Sequence, residues 1–178
     1  MATQPTRRAT HADVPALADL AGRTFPLACP PGTLQEDIDH FVATVLSESA
    51  FRTYLDDDER IVRVAPQGTA LVGYTVLILS ASTDPDVSSA LTATDAVEVS
   101  KMYSDPAAHG TGVAAALMES AADEARRLGR SALWLGVNQQ NARALAFYRR
   151  SGFRQLGEKR FALGAVLHED FVMQRDLT

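Results

Sequence analysis

The sequence contains one cysteine, Cys29, among 178 residues. A single thiol has no partner for an internal disulfide, which is typical of proteins from reducing compartments. The first residues lack the apolar stretch of a signal peptide, and no later apolar run approaches the length that spans a bilayer. We therefore expect a cytoplasmic protein that does not contact a membrane.

Basic residues are outnumbered as well: 17 Lys and Arg stand against 22 Asp and Glu, which gives a formal net charge of −5. A negatively charged chain is repelled by phosphate backbones, so we expect no nucleic-acid partner, and cationic substrates are favoured. The metal-binding patterns His-Glu-x-x-His and Cys-x-x-Cys do not occur, so no metal is predicted. The Gly-x-Ser-x-Gly elbow of serine hydrolases is missing too.

The remaining composition is that of an ordinary globular chain, with 46% hydrophobic and 22% charged residues. Neither an internal repeat nor a linker divides it, so residues 1–178 are expected to form one domain. Helical periodicity comes first, alternating strand patterns follow, and the last part is predicted as β-α-β-α-β-β. This order predicts an α/β (α+β) fold, with a mixed sheet of about seven strands flanked by about four helices.

Three stretches carry more specific expectations. Residues 26–32, PLACPPG, are expected to break the first helix. Thr33 and Glu36 form a capping-box pattern, which predicts the start of a second helix. The small and polar residues 81–95 predict a mobile loop.

The most informative stretch is HGTGVAAALMESAADEARRLG, residues 109–129. Gly110 and Gly112 directly precede a helical pattern, and the first N–H groups of a helix have no partner within it. These free donors and the helix dipole favour an anion when glycines let the ligand approach closely. We interpret this helix end as a phosphate or diphosphate site, with an ordinary strand-to-helix turn as the plainer alternative.

Three phosphate-bearing ligands compete for that site. The P-loop requires a lysine after the glycines, and none follows here. A dinucleotide fingerprint fits Gly110 to Ala115, but the next strand ends at Asn138 without the carboxylate that would bind a ribose. The third ligand is coenzyme A.

In these regions the sequence resembles the GNAT superfamily of acyl-CoA-dependent N-acetyltransferases. The family's loop, Arg/Gln-x-x-Gly-x-Gly/Ala, is matched by HGTGVA from His109 to Ala114, with histidine in place of arginine or glutamine. The segment LWLGVNQQNARALAFYRRSGF, residues 133–153, is similar to the family's next strand and helix. The tail GEKRFALGAVLHEDFVMQRDL and the early RTF are similar to the PaiA-like branch, whose activity is polyamine acetylation.

The resemblance implies a GNAT fold and acetyl-CoA as co-substrate, and a homodimer is compatible with it. It also implies that the end of the fourth strand splays from its neighbour and that the backbone amides there bind the coenzyme and the thioester. Asn138 stands where the branch often has tryptophan. The cofactor-binding residues that it implies are Met102, Tyr103, Ser104, His109, Gly110, Thr111, Gly112, Val113, Ala114, Asn141 and Tyr148.

Amine acetylation benefits from a proton donor for the leaving thiolate, and Tyr148 is the predicted donor. A phenol has an ordinary pKa of about 10, which is near enough to that of a thiol for general acid catalysis. Tyr148 follows Asn141 by two helical turns, so both residues can face one groove. The alternatives are a core position beside Phe147 for the tyrosine and a helix N-cap for Asn141, to which the resemblance adds a contact with the pantetheine arm.

The reaction also requires a proton acceptor, and Glu98 is the predicted base. In AVEVSKMYS, Val97 and Val99 alternate with Glu98, which therefore faces away from the valines. The alternation fails at Met102 and Tyr103, which is compatible with a β-bulge of the kind that re-aims groups beside active sites. A solvated strand residue or an ion-pair partner is the alternative role of Glu98, and a water chain is the alternative base.

These observations together predict an acetyl-CoA-dependent N-acetyltransferase. We expect direct transfer in a ternary complex to a small primary amine, with a polyamine as the first acceptor to test. The alternatives are a non-catalytic acyl-CoA-binding regulatory module, a protein N-acetyltransferase and a dinucleotide oxidoreductase.

Overall fold

The computed structural model of the chain describes residues 5–177. Seven strands, numbered along the chain, form one sheet. They are β1 (Arg7–Arg8), β2 (Arg60–Gln67), β3 (Ala70–Ile78), β4 (Val97–Ser104), β5 (Ala132–Asn138), β6 (Arg154–Leu163) and β7 (Val166–Asp176). The α-helices of the described part are α1 (Val14–Ala28), α2 (Gln35–Val45), α3 (Glu48–Asp56), α4 (Pro85–Ala90), α5 (Val113–Arg127) and α6 (Ala142–Arg150).

The strand order in the sheet is β1-β2-β3-β4-β5-β7-β6. Every neighbouring pair is antiparallel except β4 and β5, which run parallel. The helix that joins this parallel pair is α5, so the predicted glycine loop lies in a β-α-β connection. The mixed sheet of seven strands and the α/β class are as predicted.

Helices cover both faces of the sheet, and each face has its own apolar cluster. Leu17 and Leu20 of α1 and Phe51 of α3 are fully buried against one face. On the other face, the alanines of α5 and Leu145 of α6 pack against the apolar positions of β4 and β5. The alternating side chains of the central strands therefore contribute to two different cores, as strands covered on both faces do.

The number of helices differs from the prediction of about four, because two short helices are stabilised by local caps. Ser47 is the N-cap of α3, and its hydroxyl accepts a hydrogen bond from the Ala50 N–H at 3.1 Å. Asp84 caps α4 in the same way, with Pro85 at the first helical position. The prediction of a loop over 81–95 is therefore wrong for 85–90, where Val87 is fully buried and packs near Trp134.

Two predicted boundaries in the first part of the chain are also wrong. Helix α1 continues past Pro26 to Ala28, since a proline in the last turn costs only one intrahelical hydrogen bond. The capping box at Thr33 does not form: its hydroxyl donates to the Pro30 carbonyl at 2.7 Å, and Leu34 is the N-cap of α2.

The parallel strands β4 and β5 diverge soon after they begin. Their pairing comprises Val97 with Leu133 and Glu98 with Trp134, although both strands continue for several residues. From Val99 to Ser104 the edge of β4 that faces β5 therefore has no strand partner. The two strands therefore leave a V-shaped opening, in which two adjoining cavities lie.

The start of α5 packs closely on β3 at Gly73. A Cβ at this position would lie 2.8 Å from side-chain atoms of both Val113 and Leu117. Glycine therefore lets the first turns of α5 approach the sheet closely at this position. Gly73 pairs with Ser104 of β4, so the helix approaches the sheet beside Ser104. This contact positions the helix N-terminus next to the open edge of β4.

Glu124, in the last turn of α5, binds three arginines, of which Arg8 and Arg63 lie on β1 and β2 at one edge of the sheet. Its carboxylate is 1% exposed and forms ion pairs with Arg8 at 2.8 Å, Arg63 at 2.5 Å and Arg127 at 2.6 Å. The hydrogen bond from Arg8, with those from Arg63, lowers the pKa of Glu124 to about 2. A depressed pKa means that this contribution to stability is complete above the ordinary value of 4.5 and is lost as the pH falls toward 2.

We expect Glu124→Gln to lower the free energy of unfolding at pH 7 by about 2 kcal/mol, because charged hydrogen bonds to a buried carboxylate are lost. Urea denaturation at pH 7 and pH 3 measures it, and the gap between wild type and variant should shrink at pH 3. Glu119→Gln is the control on the same helix, since Glu119 is exposed and has one ion pair, with Arg175. Equal losses in the two variants would contradict the prediction.

Candidate active site

The glycine loop forms an open helix end. Gly110 and Gly112 have φ of +80° and +92°, and Gly112 is the N-cap of α5. The amide of Thr111 donates to the Ala108 carbonyl at 3.3 Å. The amides of Gly110 and Gly112 to Ala115 have no acceptor within residues 5–177. These free donors fit a diphosphate, which is the group that the loop is predicted to bind.

A cleft of about 500 Å³ runs from this loop to the open edge of β4. Of the residues that the sequence predicted for coenzyme binding, Thr111 is the one that does not line it; its hydroxyl donates to the Ala108 carbonyl at 2.6 Å. The predicted residues that line the cleft are Met102, Tyr103, Ser104, His109, Gly110, Gly112, Val113, Ala114, Asn141 and Tyr148. The fold thus gathers the two separate motifs around one volume.

We expect Gly112→Ala to weaken acetyl-CoA binding about tenfold, because a side chain at φ of +92° forces the loop away from its free-amide geometry. Calorimetric titration measures the dissociation constant. Gly68→Ala is the matched control: Gly68 also has a positive φ, of +60°, but it lies in the β2–β3 turn, where its Cβ would meet nothing. Unchanged affinity in the Gly112 variant would contradict the prediction.

Fixed positive charge at this cleft comes from residues that the sequence reasoning missed. Exposed His109 replaces the family's arginine or glutamine at the mouth of the cleft, and its amide donates to the Pro106 carbonyl at 3.1 Å. Arg143 and Arg150 of α6 line the same cleft. Arg143 lies in the first turn of the helix that begins after Asn141, and Arg150 follows it by two turns, and this spacing was the available signal. They give a phosphate-bearing ligand two permanent cations.

A β-bulge is present in β4 as predicted, but it lies at Ser100, the extra residue, and not at Met102 and Tyr103, where the alternation visibly fails in the sequence. Leu77 of β3 pairs with Val99, whereas the preceding Val76 pairs with Lys101. The bulge reverses the alternation of β4, because Glu98 before it and Lys101 after it line the same cavity. Tyr103 also reaches this cavity. The face opposite the valines therefore carries a carboxylate, an ammonium group and a phenol.

Asn141 and Tyr148 hold the positions expected of them on α6. The Asn141 side chain accepts a hydrogen bond from the Ala144 N–H at 3.0 Å, so it is the N-cap of the helix, and it also lines the cleft. The Tyr148 ring packs edge-on against Phe147 and Phe153 at 5.4 and 5.8 Å between centroids. Burial raises the pKa of Tyr148 to about 12, so the phenol keeps its proton at neutral pH.

A second cavity of about 300 Å³ joins the cleft on the side of α1 and α2. The two volumes share Met102, Tyr103, Asn141 and Tyr148 among their lining residues. Glu98 lines this inner cavity, which brings both predicted catalytic side chains, Glu98 and Tyr148, to its wall. The point where the cavities meet is therefore where two ligands would come into contact.

The inner cavity also contains ionisable residues that the sequence reasoning did not select. Asp170 and His168, both on β7, line the cavity. Lys101 and Lys159 line it as well. Their gathering depends on the β6–β7 register, in which Lys159 pairs with Asp170, and on the pairing of Asp170 with Asn138. No local sequence pattern carries that register.

Burial shifts the pKa values of these groups toward their neutral forms. It raises the pKa of Glu98 and raises that of Asp170 to about 6. It lowers the pKa of Lys101 to about 8. Groups with such values exchange protons near neutral pH, which suits acid–base chemistry.

Within residues 5–177, no group of three or more His, Cys, Asp and Glu side chains is arranged to hold a metal ion. The same residues include no helix with the length and apolar character to cross a membrane. Asn138, where the PaiA-like branch often has tryptophan, lines the inner cavity, and its side chain accepts from the Gln140 N–H at 2.9 Å.

The two joined cavities are typical of a transferase that brings a phosphate-bearing donor to an ionisable acceptor. The sequence model of the acetyltransferase (GNAT) family matches residues 15–153, so the chain belongs to this family. An uncharacterized N-acetyltransferase of Mycobacterium tuberculosis is 43% identical over 165 residues, which are 93% of this chain and 98% of the relative. The chain is therefore an acetyl-CoA-dependent N-acetyltransferase, as the sequence predicted.

Solved structures share the fold over nearly the whole chain. The PaiA N-acetyltransferase of Thermoplasma acidophilum, in complex with coenzyme A, has a TM-score of 0.77 and 17% identity, with 97% of this chain and 98% of that chain covered. The ribosomal-protein-alanine N-acetyltransferase of Brucella melitensis has a TM-score of 0.72 and 22% identity, with 97% and 99% covered. At these identities the likeness concerns the fold.

Proposed function

We propose that the protein transfers the acetyl group of acetyl-CoA directly to a small primary amine in a ternary complex. The observation that carries this proposal is the meeting of two cavities at Tyr148, one lined by free helix amides and the other by Glu98. Acetyl-CoA supplies the activated acyl group from the outer cleft, with its phosphates at the free amides of Gly110 and of Gly112 to Ala115. The acceptor occupies the inner cavity, and the whole described fold acts as one transferase domain.

Two side chains at the point where the cavities meet, Glu98 and Tyr148, carry out the two proton transfers of the reaction. Glu98, or a water molecule beside it, takes a proton from the amine, whose nitrogen forms the new N–C bond as the C–S bond breaks. Backbone amides of Met102 to Ser104 on the open edge of β4 orient the thioester. Tyr148 gives its proton to the departing thiolate, so the products are an N-acetylated amine and the free thiol of coenzyme A.

The size of the inner cavity supports a small molecule as the acceptor. A volume of about 300 Å³ is at the lower end of the range for small-molecule sites. A polyamine, the acceptor suggested by the PaiA-like resemblance, and a protein amine both remain predictions to be tested. The regulatory-module alternative differs in one measurable respect, since it binds acetyl-CoA without turnover.

The test is thiol release from acetyl-CoA with a panel of amines that contains spermidine, an aminoglycoside, a lysine peptide and the common amino acids. We expect acetyl-CoA to bind in calorimetry and at least one small amine to support thiol release. Tight binding with no release on any amine would favour the regulatory module. A fluorescence response to NADH, with no heat on titration of coenzyme A, would overturn the assignment altogether.

A further inference from the structure

Both lysines of the chain line the inner cavity. Lys101 lies on β4 and Lys159 on β6, and the other 15 basic residues are arginines, none of which lines this cavity. Facing them are two carboxylates, Glu98 on β4 and Asp170 on β7. These four side chains come from β4, β6 and β7, so the fold brings them together. Two of them are basic and two are acidic.

These charged groups have few partners of their own. In the part of the chain that the structure describes, Glu98, Asp170 and Lys159 form no side-chain hydrogen bond and no ion pair. Lys101 donates one long hydrogen bond, of 3.4 Å, to the Ser100 hydroxyl and lies 5.2 Å from the centre of the Tyr54 ring. Asp170 is buried and the other three side chains are half-buried, and charges withdrawn from water without partners are costly, so a ligand that pairs with them would contribute to the stability of the site.

Two polar groups are buried deeply enough to mark this as a binding site. Asp170 is 8% exposed and has no partner for its carboxylate among residues 5–177. The Nε2 atom of His168 is buried and has no hydrogen-bond partner in the described part of the chain. Both side chains belong to β7 and line the cavity. The cavity therefore offers an unpaired acid and an unpaired imidazole nitrogen to an occupant.

A glycine keeps the centre of the cavity open. A Cβ at Gly136 of β5 would lie 3.3 Å from the Lys159 Cδ and 3.4 Å from the Asp170 Oδ2. The lysine stem and the carboxylate therefore cover the bare backbone from the side of β6 and β7. The Lys159 ammonium lies 6.0 Å from the centre of the Trp134 ring. Trp134 is the register partner of Glu98 in the sheet. Lys159 thus lies next to Asp170, its register partner, in the cavity that Glu98 also lines, and within residues 5–177 it forms an ion pair with neither.

We propose that the acceptor is a small amine that also carries an anionic group, such as an amino acid. The anionic group binds Lys159, with Lys101 as the second cation, and the amine is held on the side of Glu98 and Tyr148. This inference rests on the proposed function and adds the substrate class. A polyamine is the less favourable occupant, because it could pair with the two carboxylates but would leave both lysines without an anion and place further ammonium groups beside them.

The experiment compares matched pairs of amines in the thiol-release assay. Each amino acid is measured against its own carboxamide, which keeps the amine and the size but removes the anion, and aminoalkyl phosphonates distinguish a phosphorus-based anion from a carboxylate. For the true acceptor class we expect kcat/KM of the anionic amine to exceed that of its neutral partner by about a hundredfold or more, because buried charges reject a ligand that leaves them unpaired.

Variants of β6 show whether Lys159 is responsible. Lys159→Met is expected to lower the ratio of anionic to neutral kcat/KM at least about tenfold, whereas Lys159→Arg keeps the charge and most of the ratio. Arg160→Met is the matched control, since Arg160 is the next residue on the strand, is exposed and does not line the cavity. Circular dichroism of each variant verifies that it is folded.

The outcomes separate this inference from the proposed function. Faster turnover of carboxamides or of spermidine than of any anionic amine would overturn the inference and leave the N-acetyltransferase in place. An unchanged ratio in folded Lys159→Met would overturn the role of Lys159 as anion ligand. No thiol release with any amine would overturn the proposed function, and the inference with it.

Discussion

Replacing Tyr148 with phenylalanine is expected to lower kcat about a hundredfold or more, with the dissociation constant of acetyl-CoA within about threefold of wild type. The ring would keep its contacts with Phe147 and Phe153, so the packing of α6 changes little. What is lost is the proton that the phenol donates to the thiolate. Because burial raises the pKa of Tyr148 to about 12, that proton is present over the whole neutral range.

The measurement is kcat with a saturating acceptor, together with calorimetry for acetyl-CoA. Tyr74→Phe is the matched control, because the buried Tyr74 hydroxyl has no hydrogen-bond partner among residues 5–177 and Tyr74 lines neither cavity. This control is expected to retain the wild-type kcat. Equal turnover by the Tyr148 variant and wild type would show that the thiolate leaves without a proton from this residue, and Tyr148 would then be a packing residue.

Much of the fold could be predicted because its main elements are specified by local periodicity. Val97 and Val99 identify β4, and the spacing of Val113, Leu117 and Ala121 identifies α5, whose last turn ends before Gly129 at a φ of +69°. Each of these patterns lies within a single element and is long enough to identify its type. The order of the elements then indicates a mixed sheet flanked by helices, and the structure shows that β4 and β5 are its parallel pair.

The two additional helices could not be predicted in the same way, because short helices depend on caps and burial more than on periodicity. Ser47 and Asp84 belong to residue types that also favour loops, and their role depends on which backbone N–H each side chain meets. Val87 anchors α4 by packing near Trp134, a contact between residues far apart in the sequence. A polar stretch such as 81–95 does not show that contact in its composition.

The residues of the candidate site likewise fall into two groups, those that belong to local motifs and those that are brought to the site by strand pairing. His109 to Ala114 and Asn141 to Tyr148 are short motifs, so their residues could be named from the sequence, and the fold places nearly all of them on one cleft. Lys159 and Asp170 could not be named, because they reach the inner cavity through strand register, which is decided by the whole sheet. The donor side of a site like this is thus easier to predict than the acceptor side.

Glu98→Gln is expected to lower kcat about a hundredfold at pH 7, because the amide can no longer take a proton from the bound amine. Burial raises the pKa of Glu98 above its ordinary value of 4.5. The wild-type rate should therefore fall as the pH drops through that raised value, when the carboxylate becomes protonated. In the variant this acidic limb should be missing, and its deficit should shrink as the pH rises toward the pKa of the acceptor amine, since an amine that arrives neutral requires no base.

Asp170→Asn distinguishes the two carboxylates of the inner cavity, which have different pKa values and lie on different strands. Burial raises the pKa of Asp170 to about 6, so a base at that position would give an acidic limb near pH 6. If Glu98 is the base, the Asp170 variant changes mainly KM for the acceptor and keeps the wild-type limb. If the large loss of kcat and the loss of the limb follow Asp170→Asn, with Glu98→Gln close to wild type, then Asp170 takes the proton and the base lies on β7.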